Sequence, residues 1–480
     1  MNDFVWAVTC TARQCVFLPQ NLSPPPVAGS PLAMDSTRRT DAGRPARGAR
    51  CWGRIGAFAV LLLFPVCAVY PYSVLTHGAI IDSLWSTGIR PILRKRFPAA
   101  TPDDLRKAHA YAYGGSIIQD MGYYPFGSKY FSDLTHYVRS GDFIANMIRE
   151  AQDINELAFA LGALSHYAAD NDGHALAVNQ SVPLLYPKLR RKFGTAITYS
   201  DDPASHLRTE FAFDVYQSAK NHYAPDAYKD FVGFEVSKPV LERAFQDTYG
   251  IRLEQVFLSL DLALGTYRHA VATVLPAITK AAWKTSRKQI IKDVHGITRK
   301  KFLYNISRSS YRKRWGDTYQ RPGILSRFFA FLIRILPKVG PFQALSFKPV
   351  TPEAESLYMK SFNAAVTLYR SLLAGVDTPS MTVPNENFDV GQPTVAGQYA
   401  LADKTYARLL HDLKDHYVQV PEPLRINIIA YYQDLNMPIA TKTNLKDWEE
   451  LLQELEELRT VDRNFRVGST AVASGGAASK

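Results

Sequence analysis

The stretch Leu157-Ala158-Phe159-Ala160-Leu161-Gly162-Ala163-Leu164-Ser165-His166-Tyr167-Ala168-Ala169-Asp170 constrains the fold more than any other part of the chain. Asp153 with Glu156 three residues on is a helix-start signal, so the segment reads as helix from near Asp153 through Ala163 to about Asp170. Leu157, Leu161 and Leu164 fall on one side, and Phe159, Gly162 and Ala163 on the side that carries His166. A helix apolar nearly all round belongs in the interior of a bundle. There an uncompensated Asp170 charge would be very costly, and a divalent cation offsets it directly.

The rest of the chain is also helical in pattern, and strand-like alternation is scarce. Thr101-Pro102-Asp103-Asp104 opens a helix with a capping-box-like start and runs to Gly114-Gly115; another begins after Asp201-Asp202-Pro203 and carries Ser205 to Ala219. Apolar-periodic segments follow at 251–275, 352–373, 395–414 and 445–459. The 480 residues exceed the roughly 250–300 at which single cores stop growing, so one large or two modest domains are expected. The division read from composition is a disorder-prone N-terminus with an export signal (1–68), a helical domain (69–275), a basic and amphipathic connecting segment (276–345), a further helical C-terminal region (346–460) and a Gly, Ala and Ser-rich tail without fixed structure (461–480).

Arg44, Arg47, Arg50 and Arg54 run into the apolar stretch Ile55–Val66 and then Cys67-Ala68, the layout of a secretory signal. The stretch is shorter than the roughly 20 residues of a membrane span, with an uncleaved anchor as the alternative and Met34 as an alternative start. All four cysteines, Cys10, Cys15, Cys51 and Cys67, precede the helical domain, which excludes a disulfide framework or a thiolate metal site there.

Five histidines and three acids between residues 77 and 210 form the candidate site: His77, Asp120, His136, His166, Asp170, His174, His206 and Glu210. His166 and Asp170, Asp170 and His174, and His206 and Glu210 are each four apart, and on a helix that spacing puts both side chains on one face. Each pair can grip one ion. Imidazole with carboxylate suits Zn2+, and carboxylates able to bridge two ions suit hydrolysis of phosphoesters rather than redox chemistry. Each residue alone has a simpler reading, a hydrogen-bonded core histidine or an ordinary helix pair, and only the set points to metal. His109, His222, His269, His295, His411 and His416 lack such company and read as structural or surface residues.

The stretches Thr76-His77-Gly78-Ala79-Ile80, Gly114-Gly115-Ser116-Ile117-Ile118-Gln119-Asp120, Ser165-His166-Tyr167-Ala168-Ala169-Asp170-Asn171-Asp172-Gly173-His174 and Ser205-His206-Leu207-Arg208-Thr209-Glu210 resemble, in order, the metal-binding segments of zinc-dependent phospholipase C, whose superfamily includes single-strand-specific zinc nucleases. The resemblance covers roughly residues 70–220. It implies an all-α, multi-helix bundle of that type with two or three zinc ions. Asp120, His136, His166 and Asp170 would hold one ion. Asp170 would bridge to a second that also takes His77, and His174, His206 and Glu210 would hold the third. Asp120 is the candidate catalytic residue, activating the attacking water. Two departures stand out: no tryptophan lies just before His77 to serve as the family's metal-binding N-terminus, and the step from Asp170 to His174 is shorter than in the secreted phospholipases.

The resemblance implies an exported enzyme that cleaves phospholipid headgroups. A single-strand nuclease and a non-catalytic, metal-stabilised envelope protein are the alternatives. The formal charge of +12 favours polyanions in general and does not choose among them. Arg299, Lys300, Lys301, Arg312, Lys313 and Arg314 precede an aromatic-rich segment at 322–340 that includes Phe328, Phe329 and Phe331, a pattern suited to peripheral membrane contact; a solvated basic face followed by a buried helix is the simpler reading.

Overall fold

The computed structural model describes residues 10–11, 14–15, 74–124, 126–220, 234–269, 287, 291, 348–378 and 381–475. The apolar run 55–66, the segment 322–340 and nearly all of 280–314 lie outside them, as do His222 and His295. The chain divides into two units, Met1–Pro65 and Val66–Lys480. In the first, β1 (Cys10–Thr11) pairs antiparallel with β2 (Gln14–Cys15).

The second unit is all-α apart from one small hairpin among the described residues. Its first half holds α1 (Val74–Leu84), α2 (Arg90–Arg96), α3 (Pro102–Gly115), α4 (Lys129–Tyr137), α5 (Ser140–Glu150), α6 (Ile154–Gly173), α7 (Asn179–Leu185), α8 (Pro187–Phe193) and α9 (Pro203–Lys220). Then come α10 (Lys238–Tyr249), α11 (Leu253–Val256), α12 (Leu260–His269), α13 (Pro352–Gly375), the hairpin β3 (Glu386–Asn387) and β4 (Gln392–Pro393), α14 (Ala400–Leu413), α15 (Glu422–Tyr431) and α16 (Leu445–Gly475). No helix among the described residues is long and apolar enough to cross a membrane.

The helix starts follow the local chemistry read from the sequence. Thr101 and Asp104 form a reciprocal capping box on α3, and Asp153 accepts from the backbone N–H of Asn155 and Glu156 at the start of α6. Ser128 caps α4 and Thr351 caps α13 in the same way. As its sequence demands, α6 lies at the centre, with α1, α2, α3, α5 and α13 packed against it. Its crossing with α3 is backbone on backbone: a Cβ on Gly162 would sit 2.1 Å from the carbonyl oxygen of Ala112, and one on Gly115 would sit 1.9 Å from that of Phe159. Only glycine permits this approach.

Two expectations about the C-terminal half are corrected. The boundary drawn at 346 is not a boundary in packing, because α13 lies on α6, where the Tyr369 hydroxyl donates to Leu161 O (2.9 Å), and one core holds Phe159 and Leu161 together with Tyr369, Leu409, Leu424 and Leu455. The tail expected from Val461 is instead a continuation of α16 to Gly475. Leu451, Leu455 and Leu458 bury one face of that helix, and Asp462 extends the row to meet Arg425 at 3.6 Å.

Candidate metal centre

All eight candidate residues are buried, none more than 3% exposed. Several separate elements set them. His77 rides on α1, whose first backbone N–H groups are capped from another helix: Asp214 on α9 accepts from Leu75 N (2.9 Å), Thr76 N (3.1 Å) and Thr76 Oγ1 (2.7 Å). Asp120 sits in a 3-10 turn, Gln119–Tyr123, just past the close α3–α6 crossing. His136 lies in the last turn of α4. His166 and Asp170 are one turn apart on α6, and His206 and Glu210 one turn apart on α9.

Two groups result. In the first, ligand atoms of Asp120, His136, His166 and Asp170 all lie within 4.8 Å of one another. His166 Nε2 is 3.1 Å from Asp170 Oδ2 and 3.8 Å from Asp120 Oδ1, and His136 Nε2 is 3.5 Å and 3.3 Å from the same two atoms. The other Asp170 oxygen, Oδ1, faces His77 Nε2 at 3.5 Å, so one carboxylate looks both ways. The His77 and His166 rings stack with centroids 4.6 Å apart.

The far sides of these imidazoles are committed. His166 Nδ1 donates to Ser116 O (3.0 Å) and His136 Nδ1 donates to Ser132 O (2.8 Å), since a carbonyl can only accept. A ring that keeps its one proton on Nδ1 turns the lone pair of Nε2 toward carboxylate oxygens, a repulsive arrangement unless a proton or a cation lies between. His166 Nε2, Asp120 Oδ1 and both Asp170 oxygens have no hydrogen-bond partner among the described residues. A cation fits this donor set, and burying the carboxylates without one would cost several kcal/mol each.

In the second group, Glu210 Oε1 is 2.7 Å from His206 Nδ1 and 3.6 Å from His174 Nε2. His174 starts a π-helical turn, His174–Val178, that continues α6 and delivers Asn179 to His206 Nε2 at 2.9 Å. The short step from Asp170 therefore keeps His174 on the face of α6 that carries His166, while Asp172 is partly exposed and stays out of the group.

Electrostatics show the strain of so many acids in one volume. Burial, together with the charges of Asp170, Asp120 and Asp389, pushes Glu210 well above the usual carboxylate range. Burial also raises Asp120, against the opposing pull of His166. For His136 burial favours the neutral form, but its bonds to Asp120 and Asp170 prevail and lift it to about 10. Burial and the neighbouring His174 hold His206 down at about 3.

Residues missed by sequence reasoning surround the eight. Asp389 Oδ1 lies 3.2 Å from His174 Nδ1. Tyr123 packs edge-on to His136 and Tyr199 edge-on to His206, with the two tyrosines 5.7 Å apart, so an aromatic pair spans both groups. Twenty-six tyrosines along the chain gave no signal to single these out. Among the remaining histidines, His109 stacks between Trp85 and Tyr113, and His411 is an exposed ion-pair partner of Glu454; His416 is exposed too. The His269 side chain lies outside the described ones.

Residues 76–259 match the family model described as zinc dependent phospholipase C. No curated protein and no solved structure matches the chain.

Proposed function

We propose, from the zinc-dependent phospholipase C match over residues 76–259, that the chain is an exported zinc-dependent hydrolase of phosphoester bonds acting on phospholipid headgroups. The observation that carries the reading is the buried set Asp120, His136, His166 and Asp170, whose ligand atoms converge while the outer nitrogens of both histidines are held by backbone carbonyls.

These four residues would hold one zinc ion, Asp170 and His77 a second, and His174, His206 and Glu210 a third. Zinc bound there supplies Lewis acidity toward phosphoryl oxygens and lowers the pKa of water to about 7. The chain's own contribution is positional. Asp170 presents one oxygen to each side of the first group. Asp120, whose Oδ1 lies 3.3 Å from His136 Nε2 and 3.8 Å from His166 Nε2, would orient the attacking water and take its proton. The carbonyls of Ser116 and Ser132 fix ring orientation, a role worth about 10–100-fold in metal affinity where it has been measured.

The test is hydrolysis by the zinc-loaded full chain. Phosphatidylcholine vesicles, a soluble phosphodiester and single-stranded DNA are offered in parallel, with Asp120→Asn as the comparison. The reading expects headgroup release that falls by about 100-fold or more in the variant. Cleavage of the DNA alone would establish the nuclease instead, and bound zinc without turnover of any substrate would establish the non-catalytic, metal-stabilised protein. Deleting 322–340 is expected to abolish vesicle association and spare the soluble diester; unchanged vesicle binding would remove that segment from the account.

A further inference from the structure

The second group of ligand-type residues is enclosed by the hairpin β3–β4, which lies about 130 residues beyond the end of the matched segment and contributes Asp389 at its turn. The hairpin is anchored on α4 and α6, which carry His136, His166 and Asp170, and on the first residue of α5. Phe388 N donates to His136 O (3.2 Å), Ser140 Oγ donates to Glu386 O (2.6 Å), and Tyr167 OH donates to Glu386 Oε2 (2.9 Å). Gly391, at φ +61°, closes the turn so tightly that a Cβ there would stand 2.5 Å from Asn171 O on α6.

At that turn Asp389 meets both histidines of the second group by separate routes. Its Oδ1 lies 3.2 Å from His174 Nδ1, on the side of the ring away from Glu210. Its backbone carbonyl accepts from Asn179 Nδ2 (2.7 Å), which leaves Asn179 Oδ1 to accept from His206 Nε2 (2.9 Å). A proton held on each of those outer nitrogens would leave His174 Nε2 and His206 Nδ1 with their lone pairs, 3.6 Å and 2.7 Å from Glu210 Oε1. The carboxylate is itself held, since Tyr137 OH (2.8 Å) and Tyr399 OH donate to Oδ2 and Asp389 N donates to Asn387 Oδ1 (3.0 Å).

We infer that Asp389 is the positioning residue of the third zinc site, that of His174, His206 and Glu210, fixing the tautomer and aim of His174 through its carboxylate and of His206 through Asn179. The inference rests on the zinc-centre reading above. It makes the C-terminal half of the chain part of the metal site. Carboxylates that orient metal-bound histidines in this way are worth about 10–100-fold in affinity.

The experiment counts zinc per chain and measures each affinity by chelator competition on the full-length protein, with thermal melts of the zinc-free forms alongside. Asp389→Asn is expected to retain the ions that depend on Asp170 and to weaken the one of His174, His206 and Glu210 by about 10–100-fold. Asn179→Ala, which cuts only the route to His206, should weaken that same ion and carries the test if Asp389→Asn does not fold. Full binding within twofold of wild type in Asp389→Asn and Asn179→Ala would overturn the role, as would loss of every ion in parallel with a lowered zinc-free melting temperature. Wild-type protein without zinc would overturn the metal centre itself, a failure visible before any variant is made.

Discussion

At Gly162 a single hydrogen atom keeps α6 against α3, and through that contact Ser116 O reaches His166 Nδ1. Gly162→Ala would place a methyl group 2.1 Å from Ala112 O, so the helices must part; we expect a loss of about 3 kcal/mol in urea unfolding and weaker zinc binding together. Normal zinc affinity in a destabilised variant would break the link between the crossing and the site. Glu150 offers a residue-scale test away from the metal. Burial and then the hydrogen bond and charge of Asp247 push it up to about 7 from 4.5, although Arg243 opposes the shift. The folded chain therefore binds the proton more tightly than the unfolded one. That contribution is fully present below about pH 4.5 and is lost as pH rises toward 7. Glu150→Gln should gain stability relative to wild type as pH rises through this window, read from urea midpoints; a constant difference would refute the shift. His166, Asp170, His174, His206 and Glu210 could be singled out from the sequence because four-residue spacing on a helix is a local property. Asp389 could not, since Asn387-Phe388-Asp389-Val390-Gly391 reads alone as an ordinary turn and its meaning comes from His174 and, through Asn179, from His206, all far earlier in the chain.

Among the elements, those with strong end signals were the readable ones. Thr101, Asp153 and Asp202 mark the starts of α3, α6 and α9, and the sequence places those starts within a residue or two. Helices α1, α4 and α5 have no comparable opening box, although α1 and α4 carry His77 and His136. The start of α1 is instead capped from a distance by Asp214, 138 residues away from Thr76. Asp214→Ala should cost about 1–3 kcal/mol by leaving the backbone donors of Leu75 and Thr76 without their acceptor, and should weaken the ion that takes His77 more than the one held by His174 and His206. Equal effects on all ions would show that the cap supports the fold generally and not the placement of His77. The hairpin β3–β4 escaped notice because two-residue strands carry no period, and its order comes from Ser140, Tyr167 and His136.

On the scale of the whole molecule, one core joins Val74 to Leu458, so the all-α class was legible in composition and periodicity while the union of the two halves was not. Burial of α13 on α6 depends on which faces meet, and no local pattern states that. The centre buries four acids, Asp120, Asp170, Glu210 and Asp389, all 3% exposed or less, whose charge a bound cation would offset. Removing zinc with a chelator is expected to lower the melting temperature, and restoring it at 100 times its Kd should recover about 2.7 kcal/mol per site. A melting temperature indifferent to chelator and zinc would mean the acids are satisfied without metal. The most direct test of the account is the zinc content of the purified chain, prepared without chelator and measured by elemental mass spectrometry beside Asp170→Ala. The account predicts two or three zinc ions per chain and a sharp reduction in the variant. A folded wild-type chain without zinc would contradict it, leaving the histidines as structural residues and the proposed hydrolysis without a basis.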